Sequence, residues 1–208
     1  MTMTTKSLDL RTVQLVRKAA LLVGIVGLLA LAAVTGSIGG DTLLHEGLEA
    51  FGLLLIAICI VGRAWCSLYI GGRKKAEIVD RGPYSISRNP LYVFSFIGAF
   101  GMGAQSGSVT IATLFLLITV GVFYLTVKRE EAWLAGEFGA VYAAYRRRTP
   151  RFWPDFSRWQ DQDTLEVRPT LFLTTLRDGM VMLLAVPLFE WIETSQGSGL
   201  LATLIHLP

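Results

Sequence analysis

Apolar and polar positions along the chain fall into long uncharged blocks separated by short charged ones. Lys18 and Asp41 bracket 22 uncharged residues, Ala19 to Gly40, about 33 Å of helix and enough to cross a bilayer. A second block, Leu48 to Ile70, is interrupted only by Glu49 and Arg63. The 39 uncharged residues between Arg88 and Lys128 would make roughly 58 Å of helix, too much for one span. The polar, glycine-rich stretch Gly101 to Ser108 divides them. This predicts a short helix from Leu91 to about Gly103 and a fuller one from Val109 to Val127. A fifth candidate, Thr170 to Ile192, carries Arg177, Asp178 and Glu190 within it. The pattern predicts an all-α, polytopic transmembrane helical bundle of about five spans, forming one domain over residues 1–208.

The basic residues orient these spans. Segments 1–18, 73–88 and 128–168 hold four, five and eight Lys and Arg, 17 of the 19 in the chain. Segments 41–47, 104–108 and 193–208 hold none. Cytoplasmic loops carry the excess of Lys and Arg, so the N-terminus is expected inside and the C-terminus outside. The expected location is the cell inner (plasma) membrane, with any active site on its cytoplasmic face. The first apolar run exceeds the 7–15 residues of a signal-peptide core and more spans follow it, so it reads as a retained helix.

Composition agrees. Charged residues make up 17% and hydrophobic ones 52%, with a mean hydropathy of +0.52. Soluble domains are near one quarter charged. A net charge of +3 does not point to nucleic acid, and no nucleic-acid partner is expected. Cys59 and Cys66 lack CxxC spacing. Two turns apart on one helix, at roughly 10 Å, they are too distant to bridge. His45 and His206 are the only histidines, both on the expected outer side. No His/Cys/carboxylate cluster can be assembled from these spacings, so no metal is expected. No phosphate-binding GxxxxGK[ST] loop, internal repeat or low-complexity segment is present.

Two stretches on the expected cytoplasmic side are more than connectors. In residues 73–92, Gly82-Pro83 signals a turn. Asn89-Pro90 reads as an N-cap followed by proline at the first helical position. A helix start edged by Arg81 and Arg88 also suits an anionic ligand group. In residues 128–154, Trp133, Leu134, Phe138, Val141, Tyr142 and Tyr145 recur at three- and four-residue spacing. With acids early and bases late, this reads as an interfacial amphipathic helix continuing from the fourth span. Arg63 lies about nine residues, roughly 13 Å, from the cytoplasmic end of its span. It is either a functional intramembrane cation or a side chain snorkelling to the interface. Trp65 reads as a lipid-facing or packing aromatic, and Arg177 with Asp178 as a local neutralising pair.

Val79-x-x-Gly82-Pro83-Tyr84-x-x-x-Arg88-Asn89-Pro90-Leu91-Tyr92, paired with Glu130-Glu131-x-x-Leu134-x-x-x-Phe138-Gly139-x-x-Tyr142-x-x-Tyr145, resembles the integral-membrane methyltransferase superfamily. That group holds the isoprenylcysteine carboxyl methyltransferases, their prokaryotic relatives and the phospholipid N-methyltransferases. The resemblance covers roughly residues 50–154 and leaves an extra C-terminal helix, about 170–192, outside it. It implies S-adenosyl-L-methionine as cofactor and methyl transfer to a lipophilic, membrane-resident acceptor such as a carboxylate, thiol or lipid amine. It also implies cofactor contacts at Val79, Tyr84, Asn89, Pro90, Leu91, Tyr92 and Glu130, with Arg88 and Glu131 beside them. Arg88 and Glu130 are the candidate catalytic pair. A carboxylate can accept hydrogen bonds from ribose hydroxyls or the methionyl ammonium, an arginine can grip the methionyl carboxylate, and a tyrosine can flank the sulfonium. Isoprenylcysteine enzymes usually carry histidine at the position of Asn89. Asparagine cannot shuttle a proton, and phospholipid N-methyltransferases match better there, which favours a lipid amine. Two alternatives remain open. One is an NADPH-dependent membrane sterol or lipid reductase, which shares an Arg-x-Pro-x-Tyr-like motif. The other is a non-enzymatic membrane scaffold of the same fold.

Overall fold

A computed structural model describes residues 3–37, 43–73 and 76–207. Seven helices account for most of them: α1 (Met3–Val34), α2 (Leu43–Ile70), α3 (Pro83–Ile86), α4 (Pro90–Ala104), α5 (Val109–Arg148), α6 (Pro169–Met180) and α7 (Ala185–Gly197). Four stretches are long and apolar enough to cross a membrane: Leu15–Val34, Leu43–Ile70, Val109–Arg148 and Pro169–Gly197. The last is α6 and α7 joined by the tight turn Val181–Leu184. The shorter α4 is the fifth apolar helix, so the expected all-α bundle is what forms. Outward faces carry exposed Leu22, Val23, Val61, Leu117 and Leu125, a surface suited to lipid.

The boundaries have local causes. Pro90 opens α4, as expected, but the Asn89 side chain makes no cap hydrogen bond; it points elsewhere, as described below. Ser108 does cap α5, accepting from the Ile111 N–H at 3.3 Å. The expected fourth span and amphipathic helix are one 40-residue element broken at Gly139, where φ is 47° and ψ −118°. Only glycine adopts that conformation readily, so Gly139 redirects the helix after the Glu130-Glu131 pair.

α2 packs along α4, α4 along α5, and α5 along α1, with α6 covering α2. The α2–α4 seam depends on missing side chains. A Cβ at Gly62 would sit 2.2 Å from the Phe94 ring, and one at Gly101 would sit 2.6 Å from the Gly52 carbonyl oxygen. Small residues of this kind let membrane helices approach closely, because packing rather than water exclusion drives their association. At the end away from the basic loops, Leu28, Ile111, Phe115, Phe189 and Ile192 form one buried cluster. The Gln196 amide donates to the carbonyls of Ala32, Ala33 and Thr35 at 3.1–3.2 Å, satisfying the end of α1. Thr35–Ser37 also pairs in parallel with Ile205–Leu207, so the C-terminal segment is tied to the end of the first helix.

One expectation is corrected at this end. α7 brings Glu193 to His45 and Glu49, whose ligand atoms all lie within 4.8 Å of one another, so a His/carboxylate cluster does assemble. Arg177 and Asp178 pair at 3.4 Å on an exposed surface, and Trp65 packs rather than facing lipid, stacking on Trp159 at 5.7 Å.

Candidate active site at the basic end

The site is built on residues 82–89. Gly82 turns with φ 55°, and a Cβ there would lie 2.3 Å from the Tyr69 ring. Pro83 then starts the single buried turn of α3. Residues 149–160 strap this loop in place. Gly82 N–H donates to the Gln160 carbonyl at 2.8 Å, Arg88 N–H to that of Pro150 at 2.8 Å, and Asp155 N–H to that of Ile86 at 3.0 Å. From α5, the Tyr145 hydroxyl donates to the Tyr84 carbonyl at 2.8 Å. Burial pushes the Tyr84 phenol well above its ordinary pKa, so it stays a neutral donor.

A charge network fixes the loop against α5. Glu131 is buried. It accepts from Arg88 Nε and Nη2 at 3.1 and 3.0 Å and from Arg151 Nε and Nη2 at 3.0 and 2.8 Å. The Asn89 amide donates to it at 3.4 Å and to the Arg151 carbonyl at 3.2 Å, which is why Asn89 does not cap α4. Arg88 Nη1 donates to the Arg146 and Thr149 carbonyls, both at 2.9 Å, closing the end of α5. The hydrogen bond to Glu131 holds the Arg151 guanidinium above even its usual high pKa. Glu130, one residue earlier, points elsewhere: Tyr92 Oη donates to its Oε2 at 3.0 Å, and Arg17 Nη1 reaches Tyr92 Oη at 3.5 Å.

These groups enclose a cavity of about 300 Å³, the lower end of the range for ligand pockets. Eight of the nine residues expected at the site line it: Val79, Tyr84, Arg88, Asn89, Leu91, Tyr92, Glu130 and Glu131. Pro90 does not; it is buried as the first residue of α4. The sequence reading missed Arg17 and Lys18 from α1 as lining residues, having counted them only for topology; Arg63 from α2, read as a functional cation or a snorkelling side chain, also lines the cavity. The sequence reading also missed Arg151, which follows the second motif and meets Glu131 only through the fold. Arg63 Nη1 donates to Ser95 Oγ, so it does not snorkel. Its Nε and the Tyr142 hydroxyl are buried without a hydrogen-bond partner. Both belong to residues lining the cavity. Among the described residues, no carboxylate pairs with Arg63.

Residues 49–141 match the phospholipid methyltransferase family. The chain is 35% identical over 185 residues to the nickel-cobalt-cadmium resistance protein of Alcaligenes xylosoxydans xylosoxydans, covering 88% of this chain and 86% of that one. It belongs to the phospholipid methyltransferase family. A cobalt-zinc-cadmium resistance protein of Cupriavidus metallidurans is 32% identical over 160 residues, 77% of this chain and 74% of that one. The protein-S-isoprenylcysteine O-methyltransferase of Schizosaccharomyces pombe is 32% identical over 95 residues, 45% of this chain and 40% of that one. No solved structure gives a significant match. The matched region holds both motifs except the last residues of the second.

Proposed function

We propose that this protein transfers a methyl group from S-adenosylmethionine to a lipophilic acceptor held in the membrane, at a site facing the cytoplasm. The observation that carries this reading is the convergence of eight motif residues on one cavity. The residues present fit the cofactor. Glu130 offers a carboxylate to hydroxyl or ammonium donors, Tyr92 and Tyr84 supply aromatic surface suited to a cation, and two buried polar groups lack protein partners. When bound, the cofactor supplies an electrophilic methyl carbon on a positively charged sulfur. The chain then has to align and desolvate the reactants, since displacement at carbon depends mainly on proximity and orientation.

Roles divide within the motif. Arg88 spends four of its five N–H groups on Glu131 and the end of α5, which makes it a positioning residue more than a cofactor clamp. Glu130 is the residue assigned to touch the cofactor. Arg63, with no acidic partner among the described residues, favours an acidic acceptor over the lipid amine that Asn89 alone suggests. An acidic acceptor would present its carboxylate to the methyl carbon already ionised and would need no base to remove a proton, so a site with Asn89 in place of histidine suffices. The relatives' metal-resistance names describe a phenotype rather than a reaction.

Thermal stability of the detergent-solubilised protein tests the cofactor. S-adenosylhomocysteine should stabilise it by about 2.7 kcal/mol at a hundredfold excess over Kd, and NADPH should not. A shift with NADPH alone transfers the assignment to a reductase. Sidedness is tested by placing a single cysteine at position 160 in a chain lacking Cys59 and Cys66. Labelling by an impermeant reagent applied outside cells overturns the cytoplasmic assignment.

A further inference from the structure

The end of the molecule opposite the cavity is acidic. From Ala19 to Gly62 the chain has acids at Asp41, Glu46 and Glu49 and no Lys or Arg; from Gly179 to Pro208 it has Glu190 and Glu193 and again none. Two of these carboxylates meet at one imidazole. His45 Nε2 lies 3.3 Å from Glu49 Oε1 and 3.0 Å from Glu193 Oε1, and the three ligand atoms all fall within 4.8 Å of one another. The ring is held from behind: a Cβ on Gly107, which has φ 63°, would lie 1.9 Å from Nδ1. The α4–α5 turn therefore packs directly on the imidazole and leaves Nε2 as the nitrogen facing the acids.

We propose that His45, Glu49 and Glu193 form a binding site for a divalent transition-metal cation of the zinc(II) or cobalt(II) type, joining α2 to α7 at the acidic end. The donor set is one imidazole nitrogen and two carboxylate oxygens, which suits zinc and its neighbours. Calcium takes six to eight oxygens, and magnesium prefers oxygen and water. Bonds of about 2.0–2.1 Å in a tetrahedral site place neighbouring ligand atoms about 3.3 Å apart. The two nitrogen–oxygen separations are already close to that edge. The carboxylates need only draw together on the cation, and both are partly open to solvent, which gives the ion a path in and leaves a position for water. Among the described residues no Lys or Arg lies beside the two acids. The site is remote from the methyl-transfer cavity and does not depend on that assignment.

Equilibrium dialysis of the detergent-purified full chain against zinc(II) or cobalt(II), with bound metal counted, tests the site. One equivalent per chain is expected, with a visible cobalt(II) absorption band of a low-coordinate site. Affinity should fall at least tenfold in His45→Ala, Glu49→Gln and Glu193→Gln, and stay unchanged in Glu46→Gln on the same helical turn. The glutamine variants keep side-chain volume, and elution of each variant like the parent on size exclusion reports that it is folded. Absence of saturable binding overturns the proposal, as does equal affinity in the parent, His45→Ala and Glu193→Gln. Stability that follows pH but ignores both metal and chelator also overturns it, because a proton on His45 is then the bridge.

Discussion

The two ends of this bundle hold their acids in opposite ways. At the basic end a single carboxylate, Glu131, is gripped by two guanidiniums and an amide. At the acidic end two carboxylates share one imidazole, with no Lys or Arg beside them among the described residues. The first arrangement is complete within the protein: it locks the 82–89 loop, the end of α5 and the 149–160 strap into one unit. The second is partly exposed. A buried charge network makes architecture, whereas a partly open cluster of one imidazole and two carboxylates makes a candidate binding site. The same logic separates Glu130 from Glu131 in the basic end, since adjacent acids on one helix face different partners.

The largest expected effect therefore belongs to Glu131. Glutamine keeps its volume but leaves the Arg88 guanidinium buried without a counter-charge. Removing one partner of a buried pair costs about 3–5 kcal/mol. The lower part of that range is expected because Arg151 is partly exposed. Thermal denaturation of the solubilised variant measures it; a change below about 1 kcal/mol would mean that the network is no more than a surface ion pair.

Glu130→Gln should leave stability nearly intact and act on ligand affinity. Loss of charge-assisted hydrogen bonds costs about 1.5–3 kcal/mol, roughly ten- to a hundredfold in the Kd for S-adenosylhomocysteine. Glu137 is exposed on the same helix beyond the motif pair, and Glu137→Gln is the control. Equal losses in both variants, or none in either, remove Glu130 from the site.

At the other end, Glu193→Gln in metal-free buffer should shift stability by less than about 1 kcal/mol, the usual worth of a partly exposed pair. That small value beside a large one for Glu131 is the comparison in numerical form. A cost above 3 kcal/mol would show that the acidic end is also a closed structural network.

Local signals made the fold readable. The charge-free blocks marked the helices, Gly101 to Ser108 marked the break before α5, and Pro90 marked the start of α4. The site was readable to the extent that its residues sit in two continuous motifs. What escaped came from tertiary adjacency. Arg151 reaches Glu131 only because Gly139 and the Thr149-Pro150 exit turn the chain back on itself. Arg63 joins the cavity because glycines bring α2 against α4. Glu193 lies 148 positions from His45, and no spacing rule links them. Asn89 shows the limit from the other side: its position before Pro90 correctly marked a helix start, but its side chain is drawn to Glu131, a competing partner that only the fold supplies.

The smallest expected effect concerns the strap that holds the basic-end loop. Asp155 is partly exposed and accepts from the Ser157 N–H and hydroxyl at 3.3 and 2.6 Å and from Arg158 Nε at 2.5 Å. The Ser157 hydrogen bond first, and Arg158 after it, hold its carboxyl below the ordinary Asp value. A carboxylate with a lowered folded-state pKa contributes stability above its unfolded value, about 3.9, and loses it as pH falls through the lowered one. Between pH 7 and 5 the strap should be unaffected, and loosening should begin only below about pH 4. Asp155→Asn removes the charge at every pH. Hydrogen exchange at the Gly82 and Arg88 amides, which donate to the Gln160 and Pro150 carbonyls, should be faster in the variant than in the parent at pH 7. The two should converge at acid pH, where the parent carboxyl is itself protonated. A difference that persists unchanged to acid pH would show that Asp155 acts through the shape of its turn and not through its charge. The Glu131 network and the Arg148–Asp80 ion pair would then be the charge devices that hold the loop.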